Sequence, residues 1–260
     1  MKRISYDVIG NLAILKFPKW EPFFLKIMIA KKLLRKTKSL TTILEKKSNV
    51  EGNLRIAKVK HLAGLKTTKT NYKENDCTFQ FDVAETYFSS RLSNERRIIG
   101  DEVAKKAKNN SKILILFSGV GPYPIVIAKK LKRLKKKTKI LANELNHKAI
   151  NSFKRNIVLN KLEDYITIDE GDAKSLPKKV KEKFDIILMP RPNIKETFLK
   201  TALNLSKKGT KIYYHGFGTE EKVLNEIKKE TKGKILKIKI RKAGDIAPHK
   251  FRWQVTFKAK

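Results

Sequence analysis

The segment ILILFSGVGPYPIVIA, Ile113 to Ala128, decides the fold. Lys112 to Phe117 is an apolar run of strand length, Gly119-Val120-Gly121-Pro122 turns the chain tightly, and Tyr123 to Leu134 follows with helical period. Glycines at such a turn let the main chain approach a ligand, and the helix behind them points its unpaired N–H groups at it. A strand–glycine turn–helix of this kind is the ligand-binding corner of an open α/β sheet.

Working outward, Lys139–Asn143, Ile166–Glu170, Phe184–Met189 and Gly209–Tyr214 read as strands, and Asn94–Ala107, His147–Asn160 and Ile194–Leu205 as helices. Alternation of this kind predicts a parallel sheet covered on both faces, a doubly wound α/β domain over residues 83–260. It closes with a helix over Glu220–Glu230 and an antiparallel pair, Ile235–Arg241 with Arg252–Phe257.

Residues 1–82 read as a small basic α+β unit. Tyr6–Ile9 and Leu12–Phe17 flank a Gly10-Asn11 turn, a helix runs from Pro22 to Leu34, and strands are expected at Leu54–Val59 and Cys77–Val83. The polar stretch Leu65–Asn75 between them suits an exposed loop or hairpin tip.

Glu144 ends the second strand of the large domain, 23 residues after Gly121, where this architecture places the acceptor for ribose hydroxyls. Asp172, at the end of the third strand, would lie along the same crevice and can accept from an exocyclic amine of adenine. The turn reads GVGPYP rather than a strict GxGxxG, which weakens a nicotinamide dinucleotide and favours S-adenosylmethionine.

Charge points to the partner. Sixty-one Lys and Arg against 25 Asp and Glu leave a formal +36, so a polyanion is expected, nucleic acid above all, because phosphate neutralisation with counterion release drives such binding. The run KKLKRLKKKTK, Lys129 to Lys139, is the densest steering patch. A single cysteine, Cys77, excludes an intrachain disulfide, and His61, His147, His215 and His249 have no ligand-like spacing, so no metal is expected. With no apolar run of membrane-spanning length, no membrane association is expected, and a reducing cytoplasm is the expected compartment.

The chain resembles the archaeal and eukaryotic tRNA (guanine-N1) methyltransferases that act at guanosine 37, with their wyosine-pathway relatives. The resemblance rests on YDVIGNLAIL (Tyr6–Leu15), LRIAKVKHLAG (Leu54–Gly64), FDVAETYFSSRLSNERRI (Phe81–Ile98), FSGVGPYPIVIA (Phe117–Ala128) and ELNHKAINSFKRNIVLN (Glu144–Asn160). It implies a Rossmann-like class I methyltransferase domain holding S-adenosylmethionine through Phe117, Gly119, Gly121, Glu144 and Asp172. It further implies a flipped guanine, Glu95 as general base on N1, Arg55 facing the charge that develops on O6, and Arg91 and Arg96 as positioning or phosphate-contacting residues. The chemistry agrees: N1 becomes a good nucleophile only when its proton leaves, and a carboxylate can take it while an arginine stabilises the charge spreading onto the carbonyl.

Two departures from the family pattern stand out. Where relatives often read Asn-Leu-Pro after the fourth strand, this chain reads Pro190-Arg191-Pro192, which removes an amide from the substrate wall and adds a guanidinium. The chain also starts directly at the YDVIG block, without the extra front module of many relatives, so the basic unit and contacts to the tRNA anticodon arm are expected to carry recognition, by a monomer without obligate protein partner. C7 methylation of the tricyclic wyosine precursor at the same position is the alternative activity. An RNA-binding module with a remnant pocket is the reading from a different class, and the complete set Gly119, Gly121, Glu144 and Asp172 argues against it.

Overall fold

The computed structural model describes residues 4–48, 56–247 and 250–260. In front stands a four-stranded sheet in the order β1-β2-β3-β4. Strands β1 (Ser5–Ile9) and β2 (Leu12–Lys16) form the expected hairpin. Helix α1 (Phe23–Lys36) then carries the chain across one face so that β3 (Thr42–Lys46) lies parallel to β2, since a parallel neighbour requires a crossover. β4 (Val59–Gly64) returns antiparallel to β3. Ala13, Leu15, Ala30, Ile43 and Leu62 fill the space between helix and sheet.

A separate hairpin follows, β5 (Lys69–Glu74) with β6 (Cys77–Asp82). Its two-residue turn, Asn75-Asp76, has both residues at positive φ, the geometry whose twist suits a tight hairpin. Cys77, Phe79 and Phe81 sink into the main core, and there burial pushes the Cys77 thiol up to about 12. Residue 82, where the sequence reading divides the chain, is the last residue of β6, whose inward side chains belong to the core of the large domain.

After a 3-10 turn at Ser90–Leu92, α2 (Ser93–Lys106) leads into the large domain. There β7 (Lys112–Ile115), α3 (Pro122–Arg133), β8 (Lys139–Glu144), α4 (His147–Leu159) and β9 (Ile166–Glu170) alternate. The short α5 (Leu176–Lys179), then β10 (Phe184–Met189), α6 (Leu199–Asn204), β11 (Ser206–Gly218) and α7 (Glu220–Thr231) continue the pattern, and β12 (Ile235–Ala247) and β13 (Lys250–Ala259) end it. The seven strands order as β12-β13-β11-β10-β7-β8-β9, with β13 antiparallel to both neighbours. Side chains alternate across β7: Ile113 and Ile115 face the core under α2, α3 and α4, Leu114 and Leu116 the core under α6 and α7. This is the doubly wound, Rossmann-like domain with a small α+β unit before it. β8 lies on one side of β7 and β10 on the other, so the chain reverses direction across the sheet at β7, and a crevice opens beyond the strand ends there.

Several local expectations shift. The described part of the segment read as a strand at Leu54–Val59 begins its ladder at Val59, and Leu65–Asn75 contains strand β5 rather than a loop alone. Strand β5 hides because two of its three inward residues are polar, Thr70 and Glu74, each with a buried partner, and only Tyr72 between them packs on the core. The helix expected from Ile194 starts at Leu199, because the guanidinium of Arg191 holds the carbonyls of Ile194 and Glu196. Lys129–Lys139 begins in the last two turns of α3, whose twelve residues span about 18 Å, so the run lies at the far end from the crevice. Part of it is structural: Lys136 Nζ donates to the carbonyls of Ala104 and Ala107 and closes α2.

Candidate active site

The crevice is a cavity of about 280 Å³ whose wall includes Phe117, Gly119, Glu144 and Asp172 from the ends of β7, β8 and β9. Gly121, at φ 91°, is the N-cap of α3 with Pro122 at the first helical position. A Cβ there would stand 2.1 Å from the Phe153 ring, so only glycine lets α4 pack this closely. Gly119, at φ 56°, has nothing nearer than 3.9 Å to a hypothetical Cβ, which leaves its main chain open toward the cavity.

Glu144 draws the corner together. Its Oε2 accepts from Gly119 N at 2.6 Å and its Oε1 from Asn146 N at 2.8 Å. Burial nevertheless raises its pKa, outweighing these backbone donors, so the anion is held at a cost that further donors would relieve. A carboxylate has lone pairs left after two bonds, and a ribose diol supplies the matching hydroxyls. Asp172 is exposed; its Oδ1 accepts from Lys174 N at 2.9 Å and shapes the turn after β9. Asn143 Nδ2 ties that turn to β8 by donating to Gly171 O at 3.0 Å. Phe117 stands edge-on to Phe198, ring centres 4.8 Å apart, as an apolar wall. These residues fit an adenosine-type group: a carboxylate for the diol, a polar turn and an aromatic face.

The opposite wall brings in Pro190, Arg191, Pro192, Arg96 and His215. Two of the arginines are engaged by neighbours of their own. Arg191 is 3% exposed: it donates to Ile194 O at 2.8 Å and Glu226 Oε1 at 3.0 Å and lies over the Tyr214 and Phe217 rings. It anchors its own loop, so the guanidinium that the sequence adds to the substrate wall is spent within that wall. Arg96 is equally committed, paired with buried Glu74 of β5, bonded to Ser89 O at 3.0 Å and stacked on Phe88. Arg91 is exposed and lines a neighbouring groove, where it pairs with Asp7 of β1. Arg55 lies outside the described residues.

Glu95 occupies the first turn of α2 and is 5% exposed. Arg241 of β12 grips it with two bonds, Nη1 to Oε2 at 2.7 Å and Nη2 to Oε1 at 2.9 Å. Burial pushes its pKa up, but His215 and Arg241 together outweigh burial and hold it below the usual carboxylate value. Glu95 is not itself part of the crevice wall; His215, with Nε2 3.5 Å from Glu95 Oε1, is.

Sequence reasoning did not single out His215, Arg241, Tyr123 or Arg252. A histidine inside the apolar strand YYHGF was the available signal, since a buried imidazole needs a reason. Arg241 offered none, standing 146 residues from its partner. Tyr123 Oη, His215 Nε2 and Arg252 Nε are buried without a hydrogen-bond partner, and their residues all line the crevice. Unsatisfied groups gathered at one end of a cavity mark where a polar ligand belongs. Among the described residues no cluster of His, Cys, Asp and Glu could hold a metal ion.

Comparison with known proteins gives this arrangement a context. Residues 70–240 match the family model of the TRM5/TYW2 methyltransferase domain, and residues 2–68 that of the TYW2 N-terminal domain. The chain is 33% identical over 216 residues to the tRNA (guanine(37)-N(1))-methyltransferase Trm5b of Pyrococcus abyssi, covering 83% of this chain and 61% of that protein. It is 42% identical over 171 residues to the tRNA (guanine(37)-N(1))/4-demethylwyosine(37)-methyltransferase Taw22 of Nanoarchaeum equitans, covering 65% of this chain and 53% of the relative. It thus spans between half and two thirds of the length of these two. The solved complex of aTrm5 with tRNALeu superposes with a TM-score of 0.84 at 31% identity, over 98% of this chain and 72% of that one.

Proposed function

Because the chain belongs to the TRM5/TYW2 methyltransferase family, we propose that it transfers a methyl group to N1 of guanosine 37 in tRNA. The cofactor is S-adenosylmethionine, whose sulfonium supplies an already activated methyl group. Glu144 would hold the ribose, the turn at Asp172 the adenine, and the main chain at Gly119 the remainder of the donor. A flipped guanine then lies between that donor and the wall formed by Pro190, Pro192 and His215.

The observation that carries the reading is the anionic pair of functions at the two ends of one crevice, Glu144 at the cofactor corner and Glu95 behind the opposite wall. Methylation at N1 requires a proton to leave toward negative charge, and Glu95, ionised throughout the neutral range, supplies it. Pro190 stands where relatives often carry an amide, and Asn193 lines the same wall. With tRNA as substrate, the +36 charge supplies steering to the anticodon arm. The test is single-turnover methyl transfer to a tRNA transcript: Glu95→Gln should retain cofactor binding and lose about 10²- to 10⁴-fold in rate. A near-normal rate would remove Glu95 from the reaction.

A second activity, C7 methylation of the tricyclic wyosine precursor at position 37, is favoured by two observations: the TYW2-type match of the front unit and the dual name of the Nanoarchaeum relative. Transfer to tRNA carrying that precursor, measured beside unmodified tRNA, decides it.

A further inference from the structure

Four large apolar side chains stand out of the surface at one end of α1: Trp20 is 69% exposed, Phe23 49%, Phe24 62% and Met28 61%. Single exposed apolar residues are ordinary, but three aromatic rings and a methionine gathered between Trp20 and Met28 mark a surface that meets a partner. The fold itself does not call on them. Toward its own sheet α1 turns Ala30, with Ile29, Leu33 and Leu34 packed beside it.

The stripe to which these residues belong tells what covers them. Phe24 and Met28 lie one turn apart, and the same stripe continues through Lys31, Lys32 and Arg35, all exposed. A helix that docks in the apolar groove of another protein keeps its anchors at i, i+4 and i+7, whereas here the third position, Lys31, is a cation. Lys60 of edge strand β4 holds its Nζ 4.2 Å from the centre of the Phe23 ring, and from Lys19 to Lys38 the sole acid is Glu21. Rings interleaved with cations suit unpaired bases, which stack on the rings, and their phosphates, which meet the charges.

β4 also ties this patch to the crevice. Val59, next to Lys60 and on the other side of the strand, lines the groove that holds Arg91, and that groove shares Tyr87, Phe88 and Ser89 with the crevice wall. Because β4 is the edge of its sheet, an RNA strand leaving the crevice reaches α1 around that edge. Resting on the methyl-transfer reading above, we propose that this end of α1 is a stacking surface for unpaired nucleotides of the tRNA loop that carries the target. Their bases lie on Trp20, Phe23 and Phe24, and their phosphates meet Lys60, Lys31 and Lys32. The surface binds substrate and takes no part in methyl transfer. Stacking tolerates any base, so it holds the loop without reading its sequence.

Trp20 is one of two tryptophans, and the other, Trp253, is half-buried and donates from Nε1 to Gly218 O at 3.0 Å, so a Trp253→Phe background isolates the emission of Trp20. That emission is titrated with a tRNA transcript, with its anticodon stem-loop alone, and with a blunt RNA duplex as long as the stem-loop. The first two should quench Trp20, whereas the duplex, which offers phosphates but no unpaired base, should bind at low salt without quenching. Trp20→Ser and Phe24→Ser should each weaken stem-loop binding about 5- to 100-fold and leave its salt dependence unchanged. Lys31→Gln with Lys32→Gln should instead lower the slope of log affinity against log salt by about one to two. Single-turnover transfer within pre-bound complexes should stay within about two-fold of normal for all of them, and thermal melts should be unaltered because the replaced side chains stand in solvent. A stem-loop that binds without quenching Trp20, or ring variants that bind it within about two-fold of normal, would overturn the proposal. Ring variants that keep their RNA affinity but lose self-association in sedimentation would overturn it in favour of a second copy of the chain. Quenching by the stem-loop without methyl transfer to tRNA would leave the contact standing and bring down the methyl-transfer reading; transfer without quenching would do the reverse.

Discussion

Glu144→Gln separates cofactor binding from scaffolding. In the ligand-free protein the carboxylate accepts two backbone N–H groups, yet burial still leaves its pKa raised. The sign follows: a carboxylate whose folded-state pKa lies above its unfolded value weakens folding at neutral pH and ceases to do so as pH falls. Removing the charge therefore relieves that cost while disturbing one of the two backbone bonds, and the two changes largely offset. The ligand-free melting temperature should move by no more than about 4 °C, the effect of about 1 kcal/mol in a chain of this size. Cofactor affinity has no such offset. Two hydroxyl bonds to a charged acceptor are worth about 3 kcal/mol together, so Kd for S-adenosylmethionine should rise about a hundredfold. Calorimetric titration beside a thermal melt reads both quantities. A large fall in melting temperature with unchanged affinity would make Glu144 a staple of the glycine turn and refute its role as ribose ligand.

Other perturbations follow from the same geometry. Gly121→Ala puts a methyl group 2.1 Å from the Phe153 ring at a left-handed φ and should cost about 2–4 kcal/mol in urea unfolding; a loss under about 0.5 kcal/mol would contradict the packing. Arg96→Ala leaves Glu74 buried without its partner and should cost about 3–5 kcal/mol, whereas an apolar pair at both positions should recover most of it; a variant that folds normally but binds tRNA poorly would return Arg96 to phosphate contact. Neutralising Arg133, Lys135 and Lys137, exposed at the end of α3 far from the crevice, should slow tRNA association at low salt and leave the rate of pre-bound complexes unchanged; a fall in that rate would place the run in the site.

How far the sequence discloses this structure depends on whether chemistry and local pattern coincide. In the segment from Ile113 to Ala128 they do, and Gly119, Glu144 and Asp172 line one crevice because strand, turn and helix each carry their own signal, while Gly121 caps α3 against Phe153 outside the crevice wall. Strand β3 has none: it is buried on both sides, so TILEK shows no alternation. Strand β5 turns Thr70 and Glu74 inward beside Tyr72, which leaves one apolar residue to mark its inner face. The Pro190-Arg191-Pro192 departure was visible, but not that Arg191 turns inward, since that depends on Glu226 and on the carbonyls of its own loop. The Glu95–Arg241 grip joins residues on elements far apart in the chain, and no spacing rule relates them.

The most direct test of the central claim is to incubate the protein with tRNA and methyl-labelled S-adenosylmethionine, digest the tRNA, and identify the labelled nucleoside and its position. Label in 1-methylguanosine at position 37, lost when that guanosine is replaced, is the predicted result. Label in another nucleoside or at another position, or none in tRNA competent for a control methyltransferase, would contradict it.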